Sequence, residues 1–218
     1  MATSDYGLMI VIMMIAIFMA SYTSADPDFL QDVCVADLSS GVKLNGFACK
    51  SNISADDFFF AGLAKPACTN NTFGSNVTLA NVKQINGLNT LGVSMSRVDY
   101  APGGVSPPHV HPRASEIIFV LEGELNVGFI TTDNKLFSKT IKKGEIFAFP
   151  RGLIHQQINI GKDPAATVGA FNSQLAGTQK VANALFASSP TVEDAVLTKA
   201  FQLETKLLEE IKSRFALI

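Results

Sequence analysis

All three histidines of this 218-residue chain fall in two short stretches. The first reads Gly104-Val105-Ser106-Pro107-Pro108-His109-Val110-His111-Pro112-Arg113-Ala114-Ser115-Glu116, with Gly123 beyond it. Alternate residues of an extended strand share a face, so His109 and His111 can aim at one point. Glu116 stands five residues past His111, an odd offset that turns it to the opposite face of an unbroken strand. Pro112 cannot donate to a ladder, and a bend there lets Glu116 swing back as a carboxylate ligand. The second stretch runs from Gly144 through Pro150-Arg151-Gly152 to His155 and Asn159. Pro150 and Gly152 read as the turn of a hairpin, with His155 starting the return strand and facing the first pair. Three imidazoles and one carboxylate are four ligands for a divalent transition metal. H-x-H by itself is a weak signal. It gains weight here because no histidine is spent elsewhere.

Such a site needs strands to carry it, and the chain supplies them beyond residue 85. Short runs rich in Val, Ile and Phe span Leu91–Tyr100, Glu116–Leu121, Glu124–Ile130, Lys135–Ile141, Glu145–Phe149, His155–Asn159 and Ala166–Phe171. Gly103-Gly104, Glu122-Gly123, Thr132-Asp133-Asn134 and Lys143-Gly144 punctuate them. Turn signals at this spacing indicate an all-β antiparallel sandwich or barrel. The period then changes: Leu203, Leu207, Ile211 and Phe215 recur every four residues among charged ones, the pattern of an amphipathic helix. Pro190-Thr191 marks the start of a helix before it. The apolar stripe must be covered, by its own barrel or by a neighbouring subunit.

Composition narrows the function. Seventeen Lys+Arg against nineteen Asp+Glu leave a net charge of −2, which excludes a general nucleic-acid binder. The length suits one domain, and 16 Phe exclude a disordered chain. Leu8 to Ala20 is an apolar run of 13 residues, too short to span a membrane and the right length for a signal-peptide core. Cleavage after Ala25 in Thr23-Ser24-Ala25 would leave 193 residues of net charge −1, too little for long-range steering. Secretion fits the cysteines and sequons. Cys34 and Cys49 lie 15 apart around a turn-rich stretch, where a bridge would constrain the unfolded chain by roughly 3 kcal/mol. Cys68 is left over. Asn52, Asn70 and Asn76 each open an N-x-Ser/Thr acceptor sequence, so residues 52–78 read as exposed and irregular.

The two histidine stretches resemble the two boxes of the germins and germin-like proteins, secreted plant members of the cupin superfamily. The first box, G-x5-H-x-H-x3–4-E-x6-G, is matched by Gly103, His109, His111, Glu116 and Gly123. The second, G-x5-P-x-G-x2-H-x3-N, is matched by Gly144, Pro150, Gly152, His155 and Asn159. Asp26 to Asp37 is similar to the family's mature start, Asn89 to Met95 to its first core strand, and Val196 to Ala200 to its tail. The resemblance implies a cupin jelly-roll β-barrel with C-terminal α-helices that clasp a neighbour in a homo-hexamer, a trimer of dimers. It implies a signal peptide over 1–25 and a germin-like domain over 26–218. Within that domain it implies a disulfide-bonded extension to about 85, a barrel to about 175 and helices to about 215. It implies a Cys34–Cys49 disulfide, an apoplastic location, and manganese held by His109, His111, Glu116 and His155, which are also the catalytic groups. The ligand set alone suits zinc, iron, copper or nickel equally. Asn159 could orient an imidazole or serve the barrel's backbone.

Activity within the family divides. Oxalate oxidases carry Asn at the positions of Ser96 and Ser106, where the amides are thought to hydrogen-bond the dicarboxylate. A hydroxyl has one donor where an amide has two, and each lost contact costs about 1–3 kcal/mol. The expectation is therefore manganese superoxide dismutase activity, with small oxygen species or a small acid at the metal and little oxalate oxidation. The alternative is a non-enzymatic apoplastic glycoprotein, in defence or as a receptor, with a structural metal. Lys135, Lys139, Lys142 and Lys143 could touch acidic cell-wall polysaccharide, although a solvated hairpin is the commoner use of such charge. Phe58-Phe59-Phe60 reads as core, and Asp56 and Asp57 as caps.

Overall fold

A computed structural model describes residues 34–41 and 46–215. The segment read as a signal peptide, and the mature start up to residue 33, lie outside the described residues. Ten strands build two antiparallel five-stranded sheets. They are β1 (Ser75–Ala80), β2 (Ser94–Tyr100), β3 (Val105–Val110), β4 (Glu116–Glu122), β5 (Glu124–Ile130), β6 (Leu136–Lys142), β7 (Ile146–Phe149), β8 (Ile154–Asn159), β9 (Ala165–Phe171) and β10 (Gln179–Lys180). One sheet runs β1-β2-β9-β4-β7 and the other β10-β3-β8-β5-β6. From β2 onward the chain changes sheet at every connection except the β5–β6 hairpin, which is the winding of a jelly roll.

Period-2 alternation determines which side chains fill the space between the sheets. Ile118 and Val120 of β4, Leu125 and Val127 of β5, Val98 and Tyr100 of β2 and Phe149 of β7 form one buried apolar cluster. The inward ladder turns polar at the other end of the same strands, where Ser96, Glu116 and His155 are buried. One barrel thus has an oily half and a polar half. On the outer face of β2, Arg97 Nε donates to Asp99 Oδ1 at 2.9 Å, and the Ala67 amide donates to Asp99 Oδ2 at 2.9 Å. Arg97 Nη1 also reaches the Leu63 carbonyl. This buried pair straps the preceding segment onto the barrel wall.

Four expectations are corrected. β1 begins within the stretch expected to be irregular, because residues from Ser75 on pair along β2. Pro150-Arg151-Gly152 does not close a hairpin: β7 and β8 belong to different sheets, and the turn carries the chain between them. Phe59 is 67% exposed and Phe58 is also exposed, so the triple phenylalanine is not core; Phe58 ends a 3-10 turn, Ala55–Phe58, where Asp57 accepts from the Ser54 amide. The last helix begins at Thr205, and its fully buried residue is Leu208, while Leu207 of the expected stripe is 44% exposed.

Among the described residues three α-helices follow β10: α1 (Val181–Phe186), α2 (Asp194–Phe201) and α3 (Thr205–Phe215). They pack through Phe186, whose ring centroid lies 5.5 Å from that of Phe201 and 6.0 Å from that of Phe215. Cys34 and Cys49 are bonded, and Cys68 is exposed and outside any disulfide. The bonded segment is held to the barrel by buried Asn89, whose amide donates to the Phe47 carbonyl and accepts from the Phe47 amide. Lys142 pairs with Glu124 at 3.4 Å across the exposed β5–β6 hairpin, the ordinary solvated use of that charge.

Asn159 serves the backbone. Its Nδ2 donates to the carbonyls of Ala101 and Asp163, and its Oδ1 accepts from the Gly161 amide. These bonds stitch two loops to the end of β8 where water cannot replace them. Asn159→Ala should lower stability by about 2–4 kcal/mol, the cost of several buried groups losing a partner. A urea denaturation curve measures it.

Candidate metal centre

Local chain chemistry sets each ligand. Pro107 and Pro108 cannot donate to the ladder, and the pairing of β3 with β8 shifts register between Ser106 and His109. His109 then stands directly opposite His155, so the two imidazoles come from neighbouring strands of one sheet rather than from facing ones. His111 lies just past β3, where Pro112 and Arg113 turn the chain into the other sheet, and Glu116 opens β4 there. The odd offset to Glu116 is thereby irrelevant. The carboxylate faces the histidines across the barrel, from the opposite layer.

The two stretches are tied to each other. The Gly152 amide donates to the His111 carbonyl at 3.3 Å, and Arg151 Nε donates to the Pro112 carbonyl at 2.8 Å. Arg113 points away from the ligands and donates to the Leu175 carbonyl. Both arginines therefore brace turns, and neither reaches into the site.

His109, His111, Glu116 and His155 converge, with one donor atom from each lying within 4.8 Å of the others. All four are buried. Ligand bonds of about 2.0–2.2 Å hold donors up to roughly 4.4 Å apart, so small side-chain movements close the shell on an ion. The imidazole tautomers are dictated by carbonyls, which can only accept. His109 Nδ1 donates to the Pro107 carbonyl and His155 Nδ1 to the Leu153 carbonyl, each at 2.8 Å. Both leave Nε2 as the inward lone pair. His111 Nδ1 lies 3.5 Å from Thr178 Oγ1.

Glu116 Oε2 is 3.2 Å from Nε2 of both His111 and His155. A carboxylate is acceptor-only and neutral His155 turns a lone pair toward it, a contact that a shared cation would satisfy. Burial, then the neighbouring His155 and His111, push His109 down to about 4, which keeps that ring neutral and able to ligate. Burial alone would raise Glu116, but the neighbouring His111 and His155 hold it down to about 2, as a carboxylate. Three imidazoles and one carboxylate fit a divalent ion of borderline softness. Phe149 stacks on His155 with centroids 4.5 Å apart, and Phe171 meets His111 edge-on at 4.8 Å. Phe149 walls off the side of His155, while Phe171 stands beside His111 at the cavity wall.

His109, His111 and Glu116 face a cavity of about 450 Å³, lined also by Ser96, Ser106, Gln157, Thr178 and Lys180 among others. Gln157 was legible as the residue two after His155 on one strand face. Thr178 and Lys180 arrive from β10 and the loop before it, and no spacing announces them. Asn52, Asn70 and Asn76 are all exposed, and Asn76, on β1, borders the cavity.

Gly169 is the tightest point behind the carboxylate. A Cβ there would stand 2.7 Å from Glu116 Oε1 and 2.9 Å from Ser96 Oγ. Gly169→Ala should displace the carboxylate and weaken metal binding by more than about tenfold, as loss of one good ligand does. The circular dichroism spectrum should stay unchanged. Elemental analysis after dialysis checks it, with His111→Ala as the reference for a lost ligand.

Comparison with known proteins agrees with this geometry. The cupin family model matches residues 61–208. Germin-like protein 5-1 of Oryza sativa subsp. japonica is 62% identical over 207 residues, covering 95% of this chain and 94% of that protein. The rhicadhesin receptor of Pisum sativum is 61% identical over 191 residues, covering 87% of this chain and 88% of the receptor. A solved structure of recombinant oxalate oxidase in complex with glycolate superposes with a TM-score of 0.84 at 48% identity, covering 88% of this chain and 98% of that one. With its jelly roll and its buried three-histidine, one-glutamate cluster, the chain belongs to the cupin family as a germin-like protein.

Proposed function

We propose that this is a secreted, manganese-binding germin-like protein of the apoplast that dismutes superoxide and oxidises little or no oxalate. The observation that carries the proposal is the ligand cluster opening into a cavity whose wall presents Ser96 and Ser106. When bound, manganese supplies one-electron redox chemistry beside an open coordination position, which zinc in the same place could not. His109, His111, Glu116 and His155 hold the ion, and the Pro107 and Leu153 carbonyls keep two of the rings in the ligating tautomer. Phe149 excludes water from the inner side at His155, and Phe171 narrows the cavity beside His111. The two serines have shorter reach and fewer donors than amides would. A dicarboxylate loses about 1–3 kcal/mol for each contact not made, whereas a diatomic anion needs neither contact.

Several features support the extracellular assignment. The Cys34–Cys49 bond belongs to an oxidising compartment, and the three sequon asparagines are accessible to glycosylation. Among the described residues no helix is long and apolar enough to cross a membrane. The hexamer, a trimer of dimers, is supported by Met95, Ile117, Phe119 and Ile146, all exposed on the outer side of one sheet. A contiguous apolar face of that kind fits a subunit contact.

A second reading, a glycoprotein with a receptor or defence role and a structural metal, draws support from the relative named a rhicadhesin receptor. One experiment separates the two: elemental analysis of the native glycoprotein with parallel superoxide and oxalate assays. We expect about one manganese per chain, superoxide dismutation abolished in His111→Ala, and no oxalate-dependent peroxide release. Robust oxalate turnover would overturn the reading, and stoichiometric metal without any turnover would favour the second.

A further inference from the structure

Lys180 belongs to neither histidine stretch, yet it stands at the metal centre's cavity. On β10 it is the direct partner of His109 in the antiparallel ladder. Directly opposed residues of such a pair project from the same face of the sheet, so Lys180 extends on the side that carries the ligand. Its ammonium lies 4.7 Å from the ring centroid of Phe73, which lines the same cavity. A ring face holds a cation in place without cancelling its charge. Among the described residues Lys180 forms no ion pair. The only other fully charged side chain on the cavity wall is Glu116, which faces His111 and His155.

We propose that Lys180 is the anion-capture residue of this site and makes the cavity select small anions, superoxide or a short carboxylate, over neutral molecules of similar size. A divalent ion, one carboxylate and three neutral imidazoles sum to a single positive charge, and Lys180 doubles it. The chain's near-zero net charge gives no long-range pull. With a Debye length of about 8 Å at physiological salt, capture is a local event at the cavity. The proposal rests on the metal reading of the ligand cluster and adds a specificity determinant to it.

The test uses the full chain loaded with zinc, which binds anions but does not turn over. Azide is titrated by calorimetry at low and at high ionic strength, with zinc content and circular dichroism recorded for each variant. Lys180→Gln should bind azide roughly three- to tenfold more weakly at low salt and lose most of the salt dependence. Lys180→Glu should bind more weakly still, and Lys180→Arg should behave as the wild type. Zinc-loaded Lys180→Gln that matches the wild type at both salt concentrations overturns the proposal alone, as does zinc-loaded wild type that takes up no azide. A wild-type chain that takes up no zinc overturns the metal reading and this proposal with it.

Discussion

Two imidazole nitrogens lie 3.2 Å from one carboxylate oxygen in a buried cluster, an arrangement that a positive charge between them would satisfy. In bulk solvent the three groups would simply turn outward. Inside the barrel they cannot, because each imidazole is pinned by its other nitrogen or by aromatic packing. Leaving such groups unpaired at low dielectric costs several kcal/mol, so the apolar half of the barrel also has to be rigid enough to enforce the convergence. The metal centre and the hydrophobic core are consequently two ends of one packing arrangement.

Sheet switching makes the convergence possible. Glu116 belongs to one layer and the three histidines to the other layer or its edge, so the ligands approach the ion from both walls. A flat sheet carrying the same residues would spread them along one face. The turns at Pro112 and Gly152 are hydrogen-bonded together, and the register of β3 against β8 is shifted by two prolines that cannot donate. Residues that look like mere breakers of strands therefore set the spacing of the ligands. The box asparagine works at the far end of β8, where it holds loops in place.

The walls around the ion divide the labour. Phe149 closes the inner side at His155, small hydroxyls face the guest, and a single ammonium stands at the cavity. The outer apolar face of one sheet has no such chemistry and suits contact with another subunit. Polar chemistry is gathered where the barrel opens, and apolar surface lies where a neighbour can cover it.

The residues that converge were readable from type and spacing, because histidine is scarce in this chain and alternation on a strand is a strict geometric rule. The strand content, the last two helices and the Cys34–Cys49 pair were legible for similarly local reasons. What local rules could not decide is which layer a strand joins. The Pro150–Gly152 turn looks the same in a hairpin as in a crossing between sheets, and only the packing of β7 on β4 and β8 on β3 distinguishes them. Phe58 and Phe59 were misread as core because apolar character says nothing of whether a barrel has room for a side chain. Lys180 was invisible because its two-residue strand acquires meaning only by pairing with His109 across a long stretch of chain. Sequence determined the chemistry of the ligands, through their side chains. Tertiary structure alone decided what stands beside the ion, since proximity across sheets depends on how the whole chain winds.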